Sequence, residues 1–118
     1  TDIIEIERIK KAIDRSERFR QRVYTEREIA YCESKHKGMY QSYAGIYAAK
    51  EAFLKALGTG LRYGSWQDIE VGHTDLGAPK LYITGPFREI LDSQGLTKII
   101  ISISHCKDYA MSTVILKG

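Results

Sequence analysis

Apolar residues in the first third of the chain recur at intervals of three and four positions, which is the period of an amphipathic helix. The isoleucines at positions 6, 9 and 13 predict a helix over residues 5–14. A second short helix is predicted over residues 16–22, where Phe19 is the apolar residue. Thr25 and Glu28 have the spacing of a capping box, so they predict the start of a third helix that runs to about Lys35.

The longest helical pattern follows, from Met39 to Leu57. Its apolar positions form a wide face and are Tyr43, Ile46, Tyr47, Ala49, Phe53, Ala56 and Leu57. Gly58 comes directly after the pattern, where a glycine commonly ends a helix. We expect this segment to be the central helix of the fold.

The apolar spacing changes to the period of β-strands in the second half. Two hairpins are predicted, the first from strands 68–71 and 80–83 and the second from strands 98–104 and 109–116. Between them, Pro86 suits the first turn of a helix and Gly95 suits its end. The element order therefore predicts an α+β fold, in which helices pack on a small antiparallel sheet within a single domain over residues 1–118.

The composition fits an ordinary soluble protein. The chain has 118 residues, of which 43% are hydrophobic and 28% are charged, and its longest apolar run is far shorter than the about 20 residues of a membrane-spanning helix. Its two cysteines, Cys32 and Cys106, are far apart and follow no metal-binding spacing. They predict reduced thiols and a cytoplasmic location, with no membrane partner.

Positive charge is concentrated near the start of the chain. Residues 8–22 include seven basic and two acidic side chains, although the whole chain has a net charge of only +3. Such a segment attracts nucleic acid, anionic lipid or an acidic protein, or it is simply the solvated face of a helix. Phe19 is the only aromatic residue among these charges, whereas nucleic-acid binding usually interleaves aromatic and basic residues.

No familiar catalytic motif with a covalent nucleophile occurs, so the candidate chemistry rests on isolated polar residues. Glu51 lies in the middle of the most apolar helix, where an ionised carboxylate is costly without a compensating partner. An ordinary helical pair with Lys55 is the simple alternative. Asp2 precedes Ile3 and Ile4, and its simple alternative role is that of a helix N-cap or of a charge near the positive end of a helix.

Phosphate-binding candidates follow the central helix. Gly58, Thr59 and Gly60 could present free backbone amides to a phosphate, one turn after the positive charge of Lys55, although a plain helix cap and loop explains them equally well. His105 is predicted at the tip of the last hairpin, where a histidine could donate to a phosphate or move a proton, or could simply be exposed.

Taken in order, these residues resemble the holo-[acyl-carrier-protein] synthases, the small bacterial class of phosphopantetheinyl transferases. The matching segments are Thr1–Glu5 with Arg8-Ile9, Arg18-Phe19, Tyr24-Thr25-x-x-Glu28, Ala48–Phe53 with Lys55-Ala56-x-Gly58-Thr59-Gly60, Asp68–Val71, and Ser102–His105 with Tyr109-Ala110. The resemblance covers essentially the whole chain, and the lysine-rich and glycine-rich segment around Glu51 is its most specific part.

The resemblance implies that the phosphopantetheine arm of coenzyme A is transferred to a serine of an apo acyl carrier protein, with release of adenosine bisphosphate. The attacking hydroxyl then belongs to the protein substrate, which explains the missing nucleophile. Asp2 and Glu51 match the family's metal-binding acids and would hold Mg²⁺. Lys50, Lys55 and His105 would contact phosphate oxygens. The proton acceptor stays open among Glu51, a water molecule at the metal and an unplaced carboxylate.

The resemblance also implies a homotrimer with coenzyme A between neighbouring subunits, so that His105 reaches Asp2 and Glu51 across an interface. The apolar residues on both faces of the last hairpin agree with a surface that other copies cover; the alternative is that the helices of one chain cover both faces. An acidic carrier protein would dock on the basic segment, through Arg8, Lys11, Arg15 and Arg18. The rival hypothesis is a non-catalytic module that binds nucleic acid or an acidic protein through residues 8–22.

Overall fold

A computed structural model describes residues 1–118 and contains five α-helices and five β-strands. In chain order the elements are β1 (Asp2–Glu5), α1 (Ile6–Arg15), α2 (Glu17–Val23), α3 (Glu26–Glu33), α4 (Met39–Leu57), β2 (Ile69–His73), β3 (Pro79–Ile83), α5 (Gly85–Ser93), β4 (Lys98–His105) and β5 (Tyr109–Lys117). Short 3-10 helices occupy His36–Gly38 and Trp66–Asp68. The predicted α+β class, with helices packed on small antiparallel sheets, is confirmed.

The strands form two antiparallel sheets. In the larger sheet β5 lies between β1 and β4, and in the smaller one β2 pairs with β3. Asp2 pairs with Ser112, and Ser112 pairs with Ile103, so these three residues lie in one row across the larger sheet. This row faces α4, because Ser112 and its β5 neighbours Ala110 and Val114 are buried beneath that helix.

Small residues let α4 approach the sheet closely. Ala44, Ala48, Ala49 and Ala52 are completely buried along the helix. A Cβ atom placed on Gly45 would lie 2.9 Å from the Cγ2 atom of Ile103, which is closer than carbon atoms tolerate. The predicted central helix is therefore confirmed, and its small side chains set its distance from the strands.

The predicted capping residues at the start of α3 and the end of α4 are also confirmed. The Thr25 hydroxyl accepts a hydrogen bond from the Glu28 amide at 3.2 Å, while the Glu28 carboxylate accepts one from the Thr25 amide at 2.8 Å. This is the reciprocal capping box that starts α3. Gly58 ends α4 with φ at 84°, a left-handed conformation that favours glycine.

Several boundaries differ from the prediction by one or two residues, including the end of β2, which lies at His73 rather than Val71. The first residues form strand β1 before α1 begins, because hydrogen bonds to β5 stabilise an extended segment too short for a periodic pattern. Helix α3 ends at Glu33 rather than near Lys35. His105 is the last residue of β4 rather than part of the turn, since it pairs with Ala110.

The larger sheet has one covered and one uncovered face. Side chains on the face away from α4 include several large apolar residues, which are Ile3 (63% exposed), Ile115 (51%), Tyr109 (46%), Met111 (41%) and Ile100 (40%). The helices of this chain therefore leave that face open. No helix combines the length and the apolar character needed to cross a lipid bilayer.

Candidate active site

Two carboxylates and one ammonium group meet where β1 passes the second half of α4. Pairing with Ser112 fixes Asp2 at the start of β1, and the α-helical spacing of Glu51 and Lys55 brings both side chains to the same side of α4. The Lys55 Nζ atom lies 2.8 Å from the Asp2 Oδ1 atom. The Asp2 side chain is only 12% exposed, whereas that of Lys55 is 56% exposed.

Burial and neighbouring charges shift the pKa values of this cluster. Burial raises the pKa of Glu51, and the neighbouring Asp2 carboxylate raises it further, while Lys55 acts in the opposite direction. The hydrogen bond to Asp2 raises the pKa of Lys55. Lys55 bonds to Asp2 rather than to Glu51, so the simple helical pair is wrong. Asp2 lies in a strand, so its alternative role as a helix N-cap is wrong as well.

A cavity of about 300 Å³ lies directly beside these groups. It is lined by Glu51, Leu54, Lys55, Gly58, Gly60 and Leu61. Gly58 and Gly60 both have positive φ, at 84° and 60°, so the loop after α4 turns in a conformation that other residues rarely adopt. The Thr59 hydroxyl donates to the Gly60 carbonyl oxygen at 2.8 Å. The structure therefore brings Lys55, the loop after α4 and both acids together.

The donor set suits a small hard cation that a substrate helps to hold. Asp2 and Glu51 supply carboxylate oxygens, and no third histidine, cysteine, aspartate or glutamate joins them in a potential metal site. Mg²⁺ commonly binds one or two carboxylates and takes its other oxygens from substrate phosphates and water. These residues therefore fit Mg²⁺, provided that the adjacent cavity holds a phosphate group.

His105 lies elsewhere in the same chain. Its exposed side chain borders a groove of about 180 Å³ with the first half of α4, where Gly45 and Ile46 contribute to the lining. Strands β1 and β4 are separated by β5, which places them about 10 Å apart at ordinary strand spacing. A single chain therefore does not bring His105 into the cluster of Asp2 and Glu51.

Lys50 requires a correction. Its side chain is completely buried on a different side of α4 and forms an ion pair with the buried carboxylate of Glu28 at 2.7 Å. Its Nζ atom also donates to the backbone carbonyl oxygens of Val23 at 2.6 Å and Trp66 at 3.1 Å. Because the ammonium group is saturated and has no solvent access, the structure does not support the predicted phosphate contact of Lys50.

The basic segment separates into paired and unpaired charges. Lys10 bonds to Asp14, and Arg20 bonds to Glu17 and Glu33. The predicted partner-binding residues are all exposed, and none of them forms an ion pair or a side-chain hydrogen bond; they are Arg8, Lys11, Arg15 and Arg18. We call these four residues the basic surface.

His73 is a neighbour of His105 that sequence reasoning missed. Its ring stacks on Tyr31 with a centroid distance of 3.9 Å, and both rings line the same groove as His105. Burial lowers the pKa of His73, and the positive charge of Lys35 lowers it further. No local pattern signals this arrangement, because the three side chains come from α3, β2 and β4.

Comparisons with known proteins cover nearly the whole chain. Residues 1–114 match the model of the 4'-phosphopantetheinyl transferase superfamily. A holo-[acyl-carrier-protein] synthase from Thermoanaerobacter sp. (strain X514) is 45% identical over 118 residues, which cover 100% of this chain and 85% of that protein.

Two solved structures of such synthases have the same fold. The enzyme from Helicobacter pylori in complex with coenzyme A has a TM-score of 0.85 and 31% identity, covering 98% of this chain and 96% of that one. The enzyme from Bacillus anthracis in complex with CoA (3',5'-ADP) has a TM-score of 0.80 and 37% identity, covering 98% and 90%. This chain belongs to the holo-[acyl-carrier-protein] synthase family of the 4'-phosphopantetheinyl transferase superfamily.

Proposed function

We propose that this protein transfers the 4'-phosphopantetheine arm of coenzyme A to a serine of an apo acyl carrier protein. The serine oxygen forms a bond to the phosphorus of the arm, the pyrophosphate P–O bond breaks, and adenosine 3',5'-bisphosphate leaves. The observation that carries the proposal is the cluster of Asp2, Glu51 and Lys55 beside a cavity, since charge neutralisation and positioning are the main needs of phosphoryl transfer. The family and the coenzyme A bound to a relative agree with it.

Asp2 and Glu51 would hold Mg²⁺ with oxygens of the pyrophosphate. When bound, the ion would supply positive charge to the pyrophosphate as negative charge develops on the leaving group. Asp2 is oriented by the pairing of β1 with β5, and Glu51 by the rigid helix α4. The raised pKa of Glu51 also makes this carboxylate a candidate to accept the serine proton.

Lys55 and the loop after α4 would bind phosphate oxygens. The Lys55 side chain is more than half exposed, so it can turn from Asp2 towards a phosphate that enters the adjacent cavity. Gly58 and Gly60 line that cavity without side chains, and Thr59 lies between them in the chain. This assigns the charged part of coenzyme A to the second half of α4.

A homotrimer would complete the site. Three copies packed through the uncovered face of the larger sheet would bury its exposed isoleucines, and they would bring His105 of one subunit towards Asp2 and Glu51 of another. His105 would then contact a phosphate of coenzyme A in the cleft between subunits. Loss of activity on dilution, in step with dissociation measured by sedimentation, would support this assembly; a fully active monomer would contradict it.

The carrier protein would dock on the basic surface. Its four cations lie on α1 and α2 without internal partners, so they are available to an acidic protein. Phe19, the aromatic residue in this segment, packs against Tyr24 and Tyr47. That packing leaves it less suited to stacking on a nucleic-acid base, so an acidic protein is the better-supported partner.

A cytoplasmic location is part of the proposal. Cys32 and Cys106 are both free thiols, the first buried and the second exposed. Free exposed thiols are typical of reducing compartments, where acyl carrier proteins and coenzyme A would be encountered.

The deciding experiment mixes the protein with coenzyme A, MgCl₂ and an apo acyl carrier protein and follows the mass of the carrier. We expect a gain equal to one phosphopantetheine group, which disappears when a chelator removes the metal or when the carrier serine is replaced by alanine. An unchanged carrier mass with fully folded protein would refute the transferase. Metal-independent transfer would refute the proposed ion alone.

A further inference from the structure

The residue before Glu51 forms the most completely buried ion pair in the chain. The Lys50 Nζ atom lies 2.7 Å from the Glu28 Oε1 atom, and neither side chain has any exposed surface. Burial lowers the pKa of Lys50 and raises that of Glu28, while the charge of each partner opposes those shifts. Two ionisable groups enclosed beside the active site need an explanation beyond stability, because buried pairs often stabilise a fold no better than apolar side chains.

All three donor positions of the Lys50 ammonium group are occupied. Besides Glu28, it bonds to the carbonyl oxygens of Val23 and Trp66. Val23 is the last residue of α2, and Trp66 begins the 3-10 helix before β2. These bonds connect α4 to two segments that no hydrogen bond of regular secondary structure would join to it.

Glu28 extends the connection to two further elements. Its Oε1 atom also accepts from the Thr25 amide at the start of α3, and its Oε2 atom accepts from the Val71 amide of β2 at 2.7 Å. One side chain of α4 is therefore linked, directly or through Glu28, to α2, α3, β2 and the 3-10 helix. The geometry of each link is directional, since hydrogen bonds weaken quickly as they bend.

The apolar contacts of α4 around Lys50 are less directional than these bonds. Ala48, Ala49 and Ala52 are completely buried, and contacts between apolar groups have no preferred direction. Consecutive helical residues point about 100° apart, so the orientation of Lys50 also determines the direction in which Glu51 points. Lys55, one turn after Glu51, contacts Asp2 of β1 at 2.8 Å, so a rotation of α4 would also change how Glu51 is directed relative to Asp2.

We propose that Lys50 and Glu28 are positioning residues, whose ion pair holds α4 at the rotation that aims the Glu51 carboxylate at Asp2. This inference rests on the proposed role of Asp2 and Glu51 in metal binding. It assigns a task in catalysis to two residues that reach neither substrate nor metal.

The test compares Lys50→Met with a destabilised control, Ile83→Ala, which removes buried side-chain atoms from β3 instead. Both are assayed with coenzyme A and carrier at a temperature where circular dichroism shows them folded. We expect Lys50→Met to lower kcat about 10- to 100-fold and to weaken Mn²⁺ binding, measured by calorimetry with coenzyme A present, by a similar factor, as loss of a supporting partner does at metal sites. The KM for the carrier should stay within about twofold, and the control should keep both kcat and Mn²⁺ affinity.

Glu28→Gln serves as the second variant if Lys50→Met does not fold, because it keeps the shape of the side chain and removes the charge. Unchanged kcat and Mn²⁺ affinity in a folded variant, or equal losses in Ile83→Ala, would overturn the inference. Glu51→Gln, measured in parallel, separates the two hypotheses. If it keeps full Mn²⁺ binding and activity, the proposed carboxylate site is wrong; if it loses them while the Lys50 variant does not, only the positioning role is wrong.

Discussion

Helix α4 carries two lysine–carboxylate pairs of nearly equal length in opposite environments. Lys50 lies 2.7 Å from Glu28 with both side chains fully buried, and Lys55 lies 2.8 Å from Asp2 with side chains that are 56% and 12% exposed. The buried lysine has two further bonds to backbone carbonyl oxygens, whereas the exposed lysine has none. Distance alone therefore does not describe what an ion pair contributes.

Solvent access decides whether a pair can exchange partners. The Lys50 ammonium group cannot leave Glu28 without stranding charges in the interior, so it maintains one geometry. Lys55 can rotate into water at little cost, so a substrate phosphate can compete with Asp2 for its charge. Two lysines five positions apart on one helix thus serve as a fixed connection and as a mobile binding group.

Making the same substitution at both lysines tests this comparison most directly. Lys50→Met should lower the free energy of unfolding by about 3–5 kcal/mol, because it leaves the Glu28 carboxylate buried without its counter-charge. Lys55→Met should change it by no more than about 1 kcal/mol, as is usual for exposed pairs. Urea denaturation at neutral pH measures both. Equal losses in the two variants would show that burial does not distinguish the pairs.

Removing a carboxylate from the cluster of Asp2, Glu51 and Lys55 should affect the reaction rather than the fold. Asp2→Asn and Glu51→Gln should each lower the transfer rate by about 100-fold or more, since each removes an oxygen ligand that would hold the metal against the pyrophosphate. Rates at several magnesium concentrations, together with circular dichroism, provide the measurement. Near-normal turnover of both variants at low magnesium would contradict the assignment.

The four cations of the basic surface are exposed and have no partner within the chain, so they can be compared with the two lysine pairs. Reversing Arg8 and Arg15 to glutamate should raise the KM for the carrier about tenfold and flatten its dependence on salt, because exposed charges act mainly on association and are screened. Coenzyme A binding should change little. Arg88→Glu on α5 is the control, since Arg88 is a partly exposed cation that lies 3.6 Å from Asp92 and outside the basic surface. An equal loss of coenzyme A affinity would show that the basic surface is not a docking site.

The smallest effect concerns the pH dependence of stability. Because the pKa of Glu51 is higher in the folded chain than its ordinary value of 4.5, folding becomes less favourable as pH rises from that value through the folded pKa. In metal-free buffer, Glu51→Gln should therefore match the wild type at acid pH and become slightly more stable above this range. Thermal unfolding across the pH series checks the sign. A variant that is less stable at neutral pH would show that the Glu51 carboxylate is stabilised rather than strained.

Local signals predicted much of the fold because their causes are local. The capping box of Thr25 and Glu28 and the stop at Gly58 involve residues within one or two turns, so they can be identified without knowing what packs nearby. The apolar spacing did not predict strand β1, because only its pairing with β5 makes an extended conformation favourable there. The exposed residues of the basic surface were predicted for the same local reason, since an amphipathic helix turns its charged face to water.

The features of the candidate site also divide into those set by the local sequence and those set by tertiary contacts. The sequence alone determined the family resemblance, the central helix and the presence of Asp2, Glu51 and Lys55 as candidates, because these depend on residue identity and helical spacing. Only the tertiary structure decided that Lys55 bonds to Asp2, that Lys50 is enclosed with Glu28 and that His105 lies across the sheet from the acids. A pattern of polar positions does not distinguish two lysines in the same helix. Lys50 and Lys55 differ because segments distant in the chain surround Lys50 with carbonyl oxygens and leave Lys55 in water.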